Sequence, residues 1–97
     1  MSNVDKASTL LRAWGVSANK VEQLRSAVTF DQQATHIIAI EECLVMLYSD
    51  KALREKFLST PSKSVMFEGK KPLDIITSGE LDKVTEAHYV IRSMLCV

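Results

Sequence analysis

The feature that most constrains this chain is a helical run from Asp31 to about Tyr48. It begins amphipathic, with Ile37, Ile40 and Leu44 at spacings of three and four. It then becomes apolar nearly all round over Cys43, Leu44, Val45, Met46, Leu47 and Tyr48. A helix with one apolar stripe can lie on a surface, whereas one that is apolar on every side has to be covered on every side. In a chain of 97 residues the cover comes from the other helices or from a second copy. Intramolecular cover is the first reading and a homodimer seam the second. The dense stretch Cys43 to Tyr48 falls far short of the roughly 20 apolar residues that cross a bilayer, so no membrane partner is expected. The polar start, Met1 to Lys6, reads as no export signal.

Helical spacing recurs along the rest of the chain, and no stretch alternates long enough to read as a strand. The expected fold is all-α, a small single-domain helical bundle. A first helix begins near Asn3 and closes on Leu10, Leu11 and Trp14; Gly15 then turns the chain without a Cβ penalty. Ser17 stands where an N-cap belongs, before Val21, Leu24 and Val28. After the long helix, Ser49 and Asp50 offer caps for a short helix carrying Leu53, Phe57 and Leu58, which ends at Ser59, Thr60 and Pro61. Residues 62 to 71 read as a loop anchored by Val65, Met66 and Phe67. Pro72 suits the first position of a short helix through Leu73, Ile75 and Ile76, closed by Gly79. The last helix has Glu80 and Asp82 at its start and Arg92 toward its end, as the helix dipole favours. Its inward stripe is Leu81, Val84, Ala87, His88, Ile91, Met94 and Leu95.

Twelve basic and twelve acidic residues give a net charge of zero, which argues against capture of the whole chain by nucleic acid or an anionic membrane. The balance is a sum of unlike parts: +2 over residues 1 to 30, −2 over 31 to 60 and zero over 61 to 97. Cys43 and Cys96 follow no metal or redox spacing, and a reduced cytoplasmic protein is expected. No catalytic constellation, cofactor site or metal site is legible. Glu41 and Glu42 are adjacent on a helix and so point about 100° apart; they read as a solvated edge. His36 and His88 have no ligand partner at i+4, and His88 reads as a core histidine bonded to backbone. Gly69, Lys70 and Lys71 fail the phosphate-loop pattern, which needs Gly at position 64 and Ser or Thr at 71.

The N-terminal part has the order helix, Gly, apolar residue, Ser cap, helix, as in a helix-turn-helix. Leu10, Trp14, Val16, Val21 and Leu24 sit at its apolar spacings, although Leu11 stands where the motif generally wants a small residue. The second helix then offers Ser17, Asn19, Lys20, Gln23 and Arg25 for phosphate and base-edge contacts with operator DNA. The chain accordingly divides into a helix-turn-helix-like segment, 1 to 30, and a helical region, 31 to 97, within one compact unit.

From Asp50 onward, Phe57, Leu58, Thr60, Pro61, Phe67, Gly69, Pro72, Leu73, Asp74, Ile75, Ile76, Gly79 and Val84 fall in a distinctive order. This pattern resembles the toxin-binding domain of the Xre/MbcA/ParS antitoxin family, and with the preceding helix the resemblance covers about two thirds of the chain. It implies a type II antitoxin that occludes a toxin of the RES class, which consumes NAD or transfers ADP-ribose. Within it, Pro61, Phe67, Gly69, Pro72, Leu73, Asp74 and Gly79 are shape-determining residues. The last helix and loop 62 to 71 would meet the toxin, with Lys83, Tyr89, Arg92 and Ser93 as contacts, since Tyr and Arg are frequent interface anchors. Autorepression through residues 17 to 25 is compatible with that role; a helix-turn-helix regulator without a toxin partner is the alternative.

Overall fold

The computed structural model describes residues 2–61, 67 and 69–95. Among these residues the chain forms six helices and no strand, the all-α bundle expected. They are α1 (Asn3–Ala13), α2 (Ala18–Arg25), α3 (Phe30–Leu47), α4 (Lys51–Ser59), α5 (Pro72–Ile76) and α6 (Leu81–Ser93).

The breaks between helices follow from local chemistry. Ser2 caps α1 by accepting the Asp5 N–H at 3.2 Å. At its other end Gly15, with φ +98, takes the left-handed position of a Schellman motif. The Gly15 N–H donates to Arg12 and the Val16 N–H to Leu11, so two otherwise orphaned carbonyls are satisfied in one turn. Ser17 caps α2 by accepting the Lys20 N–H, and Asp50 caps α4 by accepting the Ala52 N–H. Pro72 opens α5, and Gly79, at φ +82, stands between α5 and α6.

α3 is the central element, with α1 and α6 packed along it; α2 lies on α1, and α5 bridges α4 and α6. Leu11 of α1, Phe30, Ile37, Ile40 and Leu44 of α3, and Val84 and Ile91 of α6 are buried together. Leu58, Phe67 and Ile76 extend the same core toward the C-terminal half. Leu24 of α2 reaches across to the α5–α6 corner, where it lies 3.7 Å from the position a Cβ on Gly79 would take.

Two expectations about burial need correction. Val28, assigned to the inner stripe of α2, is fully exposed. The helix ends at Arg25, and N–H bonds from Ala27 to Leu24 and from Phe30 to Ala27 turn the chain directly into α3. Val28 is left at the outer tip of that turn. The apolar end of α3 is also covered on one side only: Cys43 and Leu44 are buried, whereas Val45 and Met46 are 47% and 68% exposed. The expected anchors Val65 and Met66 lie outside the described residues, while Phe67 is buried as expected.

Candidate functional site

On α6, Val84, Ala87 and Ile91 take up the buried face, which leaves His88 at its margin and Tyr89 turned outward. On α3, His36 immediately precedes the buried Ile37 and occupies the equivalent margin. The packing of α3 on α6 brings these margins together. His36 Nδ1 lies 2.8 Å from His88 Nδ1, a hydrogen bond between two half-buried rings. The backbone partner expected for His88 is thus replaced by a second imidazole, because the rings meet at the edge of the helix interface.

Tyr89 is 57% exposed and stands over this pair. Its ring is edge-on to His36 at 6.3 Å and tilted against His88 at 5.5 Å. Arg92 follows three positions later on the same helix, so it shares that face with Tyr89. The His88 pKa is pushed below the ordinary imidazole range, first by burial, then by the neighbouring His36 and by the positive charge of Arg92. The face thus combines a large exposed aromatic, two imidazoles and a guanidinium. Among the described residues no group of three or more His, Cys, Asp or Glu side chains is arranged to hold a metal ion.

The other contacts proposed for a partner are dispersed. Ser93 is exposed and donates its hydroxyl to the Val90 carbonyl. Lys83 borders a separate polar cleft of about 280 Å³ with Phe67, Lys70, Asp74, Glu80 and Glu86. Of the shape-determining residues, Pro72 is buried and Leu73 half-buried; Asp74 is exposed in the first turn of α5. Gly69 has φ +76. Pro61 lies with Tyr48, Leu53, Lys56 and Phe57 along an open apolar groove of about 330 Å³.

On α2, Asn19 and Gln23 are exposed, Lys20 is half-buried, and Ser17 spends its hydroxyl on the cap. Arg25 lies 3.6 Å from Asp5 of α1, both side chains partly in solvent. Glu22 and Arg12 line the same shallow depression as Arg25, so the positive charge there is mixed with negative.

The spacing that set aside His36 as a ligand did not foretell its contact with His88, and it misplaced Glu41. Instead of belonging to a solvated edge with Glu42, Glu41 is partly buried and accepts the Trp14 indole N–H while facing Arg54. The only signal for either residue was its place one step off a buried stripe.

Fold and site together define a small all-α protein with an aromatic and imidazole face on its last helix. No family model, curated protein or solved structure matches the chain. No helix among the described residues is long and apolar enough to cross a membrane.

Proposed function

We propose that this chain is a binding protein of the antitoxin type, which docks a RES-class toxin through the α6 face centred on Tyr89 and Arg92. The observation that carries this reading is the exposure of Tyr89 on a half-buried support. Tyr89 is more than half exposed while its ring packs against His36 and His88. An aromatic held in this way loses little conformational freedom on binding, and Tyr and Arg are the residue types most often found as interface anchors. The resemblance of residues 50 to 95 to the Xre/MbcA/ParS toxin-binding domain supplies the class of partner. Its action would be occlusion, with the catalytic chemistry residing in the toxin.

The test is co-expression with a RES-type toxin, scoring growth and co-purification for the wild type, Tyr89→Ala and Arg92→Ala. Loss of neutralisation by either variant, with its helical content intact, supports the reading. Full neutralisation by both variants removes α6 as the docking face.

A second activity, operator binding through α2, has one specific support. The Gly15 corner and Ser17 cap leave Asn19 and Gln23 exposed on successive turns of a short helix. Gel shifts over a salt series check it: specific binding that weakens steeply with salt, and is lost in Lys20→Ala, is the expected outcome.

A further inference from the structure

The two histidines meet along a single axis. The distance between their ring centres, 5.1 Å, equals the 2.8 Å nitrogen separation plus the two ring radii. Both Nδ1 atoms therefore lie on the line between the rings, and their lone-pair directions face each other. Two ligands of one metal ion would instead converge on a third point to one side. A contact of this kind holds one hydrogen, donated by one ring and accepted by the other.

We propose that the His36–His88 contact is a proton-counting latch between α3 and α6, which stays closed through the first added proton and opens on the second. In the neutral pair, one ring donates its Nδ1–H to the bare Nδ1 of the other, whose own proton is on Nε2. The first added proton binds the bare Nε2 of the donor ring. The Nδ1–H to Nδ1 bond survives and is strengthened, because its donor is now an imidazolium. The second added proton finds a free lone pair only on the acceptor's Nδ1, which is the atom already in the bond. Its uptake sets two N–H groups and two positive charges head to head, and the rings must separate.

Among the described residues neither ring is bonded to a carboxylate, and on α3 Asp31 and Glu42 are exposed. From α6 the groups bearing on the pair are Arg92, a cation, and Tyr89. On α3 the Glu41 carboxylate is engaged by Trp14 and Arg54, and on α1 Asp5 is paired with Arg25. Asp74 of α5, and Glu80 and Glu86 at the start and outer side of α6, line the separate cleft with Lys70 and Lys83. The remaining acidic group of the first α6 turn, Asp82, is exposed. The sign of the effect follows from His88, whose pKa is lower folded than its ordinary 6.5. The stability that His88 contributes is therefore complete above that ordinary value and declines as pH falls from it through the folded value. The same opening would move Tyr89, which contacts both rings, yet the latch requires no partner.

The experiment is an imidazole NMR titration of the wild-type protein from about pH 8 to about pH 5, paired with urea unfolding over the same range. The expected result is two separated titration steps, the second accompanied by loss of α3–α6 contacts. Unfolding in the acid half of the range should take up about one proton. In His36→Gln and His88→Gln the second step disappears and the pH slope of stability becomes shallower. Two histidines titrating as independent ordinary imidazoles would overturn the proposal, as would wild-type stability that is flat with pH or slopes unchanged in both variants. A zinc-dependent rise in the wild-type unfolding midpoint that is absent from both variants would also overturn it, making the pair a metal chelate. If neither variant folds, the wild-type titration alone decides.

Discussion

The indole N–H of Trp14 donates to Glu41 Oε2 at 3.2 Å, joining residues 27 positions apart. The other carboxylate oxygen faces Arg54 Nε at 3.5 Å. Arg54 in turn donates from Nη1 to the carbonyls of Tyr48 and Ser49, at 2.9 and 3.0 Å. A helix leaves its last carbonyls without intrahelical donors, and a cation there also suits the dipole. One partly buried carboxylate thus ties α1 to the middle of α3 and steadies the cation that closes the turn into α4. Glu41→Ala is expected to lower stability by about 1–3 kcal/mol, since it leaves the Trp14 indole N–H without its acceptor and Arg54 without its carboxylate partner. Urea unfolding followed by Trp14 fluorescence checks this, and the emission should also shift because the indole loses its charged neighbour.

Gln33 is fully buried in α3. Its Nε2 donates to Thr29 Oγ1 at 2.9 Å and to the Gly79 carbonyl at 3.2 Å, while its Oε1 has no partner. The side chain therefore links α3 to the α5–α6 corner at the expense of one unsatisfied oxygen. Gln33→Ala should cost about 1–3 kcal/mol, because it orphans the Gly79 carbonyl and opens space. Gln33→Met, which fills the space and removes the unpaired oxygen, should cost less. Equal losses for the two variants would mean that the hydrogen bonds dominate over packing.

The end of α3 separates burial from mere apolarity. Leu44 is completely buried and Met46 is 68% exposed, two residues apart on the same helix. Leu44→Ala should destabilise by about 2–5 kcal/mol through the cavity it leaves. Met46→Lys should change stability by no more than about 0.5 kcal/mol, as at other open surface positions. Thermal or urea unfolding of the pair distinguishes this arrangement from one in which the whole turn is covered.

Gly79 adopts φ +82, and a Cβ added there would meet Leu24 Cδ2 only at 3.7 Å, an ordinary contact. The cost of Gly79→Ala is therefore backbone strain and not collision, about 1–2 kcal/mol. Gly79→Asn should cost less, since Asn enters the left-handed region more readily. A larger loss for Asn than for Ala would place the constraint in packing against Leu24.

The features legible in the sequence share one property: their cause lies within a few residues. Ser17 and Asp50 cap because their oxygens reach N–H groups two or three positions on. Gly15 and Gly79 turn the chain because each tolerates a positive φ. Pro72 opens α5 because its missing N–H is not needed there. The six helices followed from such signals and from apolar spacing. Val28 was misread for the same reason: its spacing fits α2, but the helix stops before reaching it.

What the sequence by itself determined, then, was an all-α chain with its helices, caps and corners in place, and the inner stripes of most of them. Only the tertiary structure decided which side chains meet across those helices. His36 and His88 are 52 positions apart, Gln33 and Gly79 46, and Trp14 and Glu41 27. Each of these contacts depends on the rotation and register of one helix against another, which spacing along a single helix leaves open. The same register left Val45 and Met46 uncovered at the apolar end of α3, and set Tyr89 on the outer face of α6. A helix's own sequence specifies which face is apolar; the packing of its neighbours selects how much of that face is buried.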